Sequence, residues 1–166
     1  GSDIDEDVLT YSVTSGTNIT SSIDGATITF SVSDDNWNGS EQFTATVSDG
    51  EYTSDQTFTV TVDPVNDAPV LASVSDVIFA EDASGSVSLS ASDIDGDDLT
   101  YSVSEGTVIT ATLDGSDITF SAPLDFNGSE TFTVSVSDTE LTDSQIITVT
   151  ITPVNDAPIL AAVGDQ

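Results

Sequence analysis

Residues Ser92–Val103 read SDIDGDDLTYSV, and SDIDEDVLTYSV stands ninety residues earlier, from Ser2. Each stretch sets four acidic residues ahead of the same alternation, Leu-Thr-Tyr-Ser-Val. Other segments recur in the same order. IDGATITFS from Ile23 returns as LDGSDITFS from Leu113, and WNGSEQFTATVSDGE from Trp37 returns as FNGSETFTVSVSDTE from Phe126. PVNDAPVL from Pro64 returns as PVNDAPIL from Pro153. The offset falls from 90 to 89 between Phe120 and Asn127, so one residue is lost in that loop. A period of about ninety residues is a whole small domain, too long for one rung of a solenoid.

The repeat frame predicts three segments. Residues 1–65 form a repeat lacking its opening strands, residues 66–157 a complete repeat, and residues 158–166 the start of a following one. Leu71–Ala91 has no counterpart ahead of Gly1, while ILAAVGDQ from Ile159 matches VLASVSDV from Val70. The chain therefore reads as part of a longer array.

Alternation within the complete repeat predicts strands at Val77–Ala80, Val87–Ala91, Leu99–Val103, Thr107–Leu113, Asp117–Ser121, Glu130–Val136 and Gln145–Thr152. Asp114-Gly115 reads as a two-residue hairpin turn. No window carries a helical period. About seven strands in about ninety residues predict an all-β chain of tandem immunoglobulin-like Greek-key β-sandwiches.

Charge narrows the function. Thirty acidic residues face no Lys, Arg or His, giving a formal net charge of -30 over 166 residues. Without basic side chains the chain cannot displace phosphate counterions, which excludes nucleic acid and anionic membrane surfaces as partners. Insertion into a membrane is excluded too, since the chain has no apolar run of spanning length. The absence of Cys excludes disulfides and thiolate metal sites. A nucleophile triad has no His, Cys or Lys to serve as base, so the chain is read as not an enzyme. Self-repulsion at this charge opposes compaction, and an external cation is the natural neutraliser.

Asp93, Asp95, Asp97 and Asp98 place four carboxylates within six residues. A hard cation such as Ca²⁺ takes six to eight oxygen ligands, so the loop suits it. The spacing begins like an EF-hand loop, but a strand pattern follows and no Glu stands at the twelfth position. The bland alternative is a solvated acidic turn, because Asp and Gly are ordinary turn residues. Trp37 and Phe126 occupy one repeat position ahead of Asn-Gly-Ser and are read as packing anchors rather than sugar platforms.

These segments together resemble the cadherin family in its bacterial cadherin-like branch. ASDIDGDDLTYSV is similar to the cadherin segment with Asp-x-Asp between strands, and PVNDAPV to its interdomain linker. FAEDAS resembles the strand carrying a calcium-binding Glu, PLDFNGSE the Leu-Asp-Arg-Glu segment, with Asn127 where that Glu stands, and VSVSD the late strand ending in a ligand Asp. The resemblance covers the second repeat and all that is present of the first. It implies calcium at the junctions between successive repeats. One junction would use Asn66, Asp67, Asp93, Asp95 and Asp138, with Asp35 and Asn38 from the first repeat. Glu81, Asp125, Asn155 and Asp156 would serve the next, and Asp3 and Asp5 the previous one, with Asp49 at the position Asp138 holds in the second repeat. The implied role is a calcium-stiffened spacer in a secreted bacterial cell-surface adhesin, its partners being adjacent repeats of the same protein. Two alternatives stay open: a polysaccharide-binding accessory module, and homophilic or strand-exchange self-association in which the apolar ILAAV tail donates a strand.

Overall fold

Ser and Thr alternate with Val, Ile and Phe along almost every extended segment, which gives each strand one apolar and one polar face. The computed structural model describes residues 1–161. Its regular elements there are all strands, and no helix is long and apolar enough to cross a membrane. They form two units, Gly1–Val65 and a second beginning at Asn66.

The first unit holds β1 (Thr10–Val13), β2 (Ile19–Asp24), β3 (Thr27–Val32), β4 (Gly39–Ser48) and β5 (Thr53–Val62). Strands β1, β4 and β5 make one antiparallel sheet, and β2 and β3 make a hairpin. The second unit holds β6 (Val70–Leu71), β7 (Val77–Ala80), β8 (Gly85–Ser88), β9 (Ala91–Ser92), β10 (Thr100–Val103), β11 (Thr110–Asp114), β12 (Asp117–Ser121), β13 (Gly128–Ser137) and β14 (Thr142–Thr152). One sheet runs in the order β10-β13-β14-β7, the other β11-β12-β8, and β6 pairs with β9. The second unit is thus the expected all-β sandwich, with the short β6–β9 pair added. Strand β7 runs parallel to β14, whereas the other pairings are antiparallel.

Three local readings shift. Asp114 pairs with Asp117, so the two-residue turn is Gly115-Ser116, with Gly115 at φ 63. The expected strand Val87–Ala91 splits into β8 and β9, between which Leu89 is buried at 4% exposure. The expected strand from Thr107 begins only at Thr110. The N–H groups of Thr107, Val108 and Ile109 donate instead to the Glu130 carboxylate, at 2.8, 2.8 and 3.4 Å. Glu41 does the same for Thr17, Asn18 and Ile19. A carboxylate that accepts several N–H groups satisfies an irregular turn that no ladder serves.

The core of the second unit centres on Phe120 and Phe132, both fully buried with ring centroids 5.0 Å apart. Full burial of one such side chain contributes roughly 1.5–3 kcal/mol. Ile118, Val134, Val136 and Val149 are also sealed from solvent. Their counterparts by the repeat, Ile28, Ala45, Val47 and Val60, are only half-buried. The topology gives the reason. Strand β7 lies along β14 and β8 along β12, while β5 and β3 of the first unit have no such neighbours in this chain. Phe30, Phe43 and Phe58 still cluster there, with centroids 4.9 to 6.2 Å apart.

Trp37 and Phe126 pack over the backbone of Gly39 and Gly128. A Cβ on Gly39 would stand 3.0 Å from Trp37 Cζ2, and one on Gly128 would stand 3.1 Å from Phe126 Cζ. With φ at 145 and 155 these two sites also favour glycine. The rings are anchors of the strand starts, as the sequence suggested.

Candidate metal centre

Two acidic clusters form in the second unit. The first grows from the linker. Asn66 Nδ2 donates to Asp138 Oδ2 at 2.9 Å, and the Asp67 N–H donates to Asp95 Oδ2 at 2.8 Å. The linker is thereby bound to the loop after β9 and to the end of β13. Asp93 folds its own loop: its Oδ1 accepts from the N–H groups of Asp95, Gly96 and Asp97 at 2.9, 3.1 and 3.4 Å. This Asx-type turn, with Gly96 at φ 80, aims Asp93, Asp95 and Asp97 at one point, and one oxygen from each lies within 4.8 Å of the others.

Electrostatics marks the same point. Asp93 Oδ2 is buried and meets no hydrogen-bond partner among the described residues. Such an atom carries a desolvation cost unless something positive faces it. The Asp97 carboxyl is pushed above its ordinary value by loss of solvation, then by the charges of Asp93, Asp95, Asp138 and Asp98. Asp138 is buried at 6% exposure and held below its ordinary value, first by the Leu141 N–H and then by the Asn66 amide. A divalent cation among these oxygens would offset the repulsion on Asp97 and face Asp93 Oδ2, so the residues present fit one.

The second cluster gathers Asp82, Asp125 and Asp156, again within 4.8 Å. Buried Glu81 organises it. Glu81 Oε1 accepts from the Val154 N–H at 2.6 Å, and Oε2 accepts from Asn127 Nδ2 at 3.3 Å. The Asp125 N–H donates to Asp82 Oδ1 at 3.1 Å. Asp82 and Asp125 sit at φ 64 and 59, left-handed conformations that Asp tolerates better than most residues. The Asp156 carboxyl is pushed up first by the charge of Asp125, then by loss of solvation, Asp82 and Glu81. Asn155 Nδ2 donates to the Asp156 carbonyl at 3.1 Å.

The geometry thus brings together Asn66, Asp67, Asp93, Asp95 and Asp138 in one cluster, and Glu81, Asp125 and Asp156 in the other. It adds Asp97 and Asp82, which the sequence reading did not name as ligands. Asp97 stood in the acidic run already noted, and Asp82 directly follows Glu81. The first unit is plainer. Asp3 Oδ1 accepts from the Asp5 and Asp7 N–H groups, and Asp49 Oδ1 accepts from those of Glu51 and Tyr52. Asp35 and Asn38 are exposed. The turn Trp37 N–H to Asp34 carbonyl matches Phe126 N–H to Pro123 carbonyl. This equivalence aligns Asn36, not Asp35, with Asp125. Among the described residues the three-carboxylate groups both lie in the second unit.

An immunoglobulin-like sandwich with acidic loops defines a class of β-rich modular domain. The profile of the family described as bacterial Ig domain matches residues 66–150, half of the chain, and the chain belongs to that family. No curated protein matches it. Among solved structures, an endo-fucoidan hydrolase from glycoside hydrolase family 107 is 24% identical, with 91% of this chain and 24% of that one covered, at a TM-score of 0.40. The chain thus spans about a quarter of that enzyme's length. Human protocadherin-24 EC1-2 is 18% identical over 93% of this chain and 86% of that one, with a TM-score of 0.53. The extracellular cadherin domains 1-4 of protocadherin gamma B7 are 19% identical over 95% and 45%, with a TM-score of 0.55. These two likenesses bear on the fold, which is that of cadherin and immunoglobulin-like domains.

Proposed function

We propose that the chain is a calcium-binding structural segment of a bacterial cell-surface adhesin, a non-catalytic spacer stiffened by Ca²⁺ at the ends of its repeats. In this reading residues 66–157 are one complete repeat and residues 1–65 one that lacks its opening strands. The observation that carries it is the linker cluster. Asn66 and Asp67 are bound to the loops that present Asp93, Asp95, Asp97 and Asp138, and the buried Asp93 Oδ2 has no partner there. An ion held by these groups ties the linker to the domain that follows it. The prolines at Pro64 and Pro69 restrict the same segment further. Extracellular calcium modules bind at roughly 10⁻⁴ to 10⁻³ M, so the sites fill outside cells. Asp82, Asp125, Asp156 and Glu81 make the matching site at the end of the repeat.

Calorimetric unfolding in calcium and in chelator, at matched ionic strength, tests the reading. A calcium-specific rise in the melting temperature of the second unit supports it. Equal melting in calcium, sodium and chelator would leave the clusters as solvated turns.

A further inference from the structure

We infer that the first unit is a receptor for the C-terminal segment Pro158–Gln166 of a second copy of this chain, so that copies associate head to tail. The first unit encloses a cavity of about 360 Å³ lined by Tyr11, Ile28, Ala45, Val47, Ser54 and Gln56 among others. The repeat places Tyr101, Ile118, Val134, Val136, Asp143 and Gln145 at the same positions of the second unit. There the space is taken by the chain around β6. Leu71 is buried at 4% exposure, and Val74 packs on the same core. Polar side chains clamp this segment. Gln145 Nε2 donates to the Leu71 and Ala72 carbonyls at 2.9 and 3.1 Å, and its Oε1 accepts from the Val74 N–H at 3.0 Å. The Leu71 N–H donates to Asp143 Oδ2, and Asp76 Oδ1 accepts from the Thr148 N–H at 2.7 Å.

The first unit keeps this clamp without the segment it clamps. Gln56 stands at the position of Gln145, exposed, and Thr59 at that of Thr148. Ser54 replaces Asp143, so a hydroxyl takes over from the carboxylate as acceptor. The matching segment is present at the other end of the chain. PILAAVGDQ from Pro158 repeats PVLASVSDV from Pro69, with Pro158, Leu160, Ala161, Val163 and Asp165 identical to their counterparts. Residues 162–166 of this segment lie outside the described residues. Ile159 and Leu160 are 95% and 89% exposed, and Leu160 matches the Leu71 that fills the second unit. An apolar segment with a vacant counterpart of its own socket makes a heterologous contact, which repeats from copy to copy.

Charge sets the conditions. Copies of net charge -30 repel, but the segment brings only Asp165. Salt of about 0.15 M screens the long-range part. The association needs no metal.

Sedimentation equilibrium from micromolar to millimolar chain, in that salt, reads the association directly. The expected result is concentration-dependent oligomers, weakened about tenfold or more by Leu160→Asp and by Gln56→Ala. Both positions are exposed, so unchanged melting curves establish that the variants fold. A chain that stays monomeric throughout overturns the proposal. So does association that both substitutions leave intact.

Discussion

The side-chain amide of Asn66 donates to Asp138 Oδ2 at 2.9 Å across 72 residues of chain, and this bond ties the linker to the end of β13. Asp138 also accepts from the Glu140 and Leu141 N–H groups, at 2.7 and 2.6 Å. The linker is therefore held before any ion arrives. Asn66→Ala removes one hydrogen bond to a charged acceptor, a loss of about 1.5–3 kcal/mol. Faster amide exchange is expected at Asp67, whose N–H donates to Asp95. Exchange measured by mass spectrometry in chelator checks this; protection unchanged from the parent chain would show that the bond holds nothing.

Asp97 has opposite effects with and without calcium. Its carboxylate is repelled by Asp93, Asp95, Asp138 and Asp98, and it also closes the three-carboxylate cluster. Asp97→Asn should raise the melting temperature of the second unit in chelator and weaken calcium binding by about tenfold or more. Differential scanning calorimetry and calcium titration read the two effects separately. A fall in both conditions would assign Asp97 to packing instead.

Acid should act differently on the two units in chelator. Asp97 and Asp156 are raised from 3.8, so each binds its proton more readily folded than unfolded. Their stabilising contribution is complete below the unfolded value and lost as pH rises through the raised folded one. Melting of the second unit should thus climb as pH falls from neutral toward the carboxylate range. It should then drop as Asp138, lowered from 3.8, takes its proton. In the first unit Glu41 is lowered from 4.5, first by the Asn18 N–H, and Asp49 from 3.8, first by the Tyr52 N–H. Their contribution is full above the unfolded values and only decays as pH falls, so no climb is expected. Saturating calcium should abolish the climb in the second unit, because proton and ion compete for the same oxygens. Calorimetric scans at stepped pH distinguish these courses.

One side chain at two repeat positions measures what the opening strands contribute. Ile118 is fully buried between β11 and β8, whereas Ile28 is half-buried. Ile118→Ala should cost about 2–5 kcal/mol. Ile28→Ala should cost roughly half that or less, because its partner atoms on one side are absent. Urea unfolding of the two variants gives the comparison, and equal losses would mean the first unit packs as tightly as the second.

Much of the fold was legible because side-chain alternation is local. Val77–Ala80 and Asp117–Ser121 were readable to the residue, since Val, Ile and Phe there repeat with period two. The two-residue pair β6–β9 was not readable, because two residues carry no period. The late start of β11 was hidden for another reason. Glu130 lies 23 residues beyond Thr107, and its claim on that backbone leaves no trace in the local pattern. Asp97 shared a run with Asp93 and Asp95, while Asp82 meets Asp125 across 43 residues.

The sequence by itself determined the alternation of the strands, the ninety-residue repeat and the concentration of carboxylates in its loops. Each of these is a property of residues near in the chain or of a copied segment. Tertiary structure decided which carboxylates converge, that β7 runs parallel to β14, and that Ile28 and Val47 stay half-buried where Ile118 and Val136 are sealed. Those outcomes depend on strands and loops that meet at the ends and edges of a sandwich. Closure there is set by backbone hydrogen bonds and packing between distant segments, which no local spacing encodes.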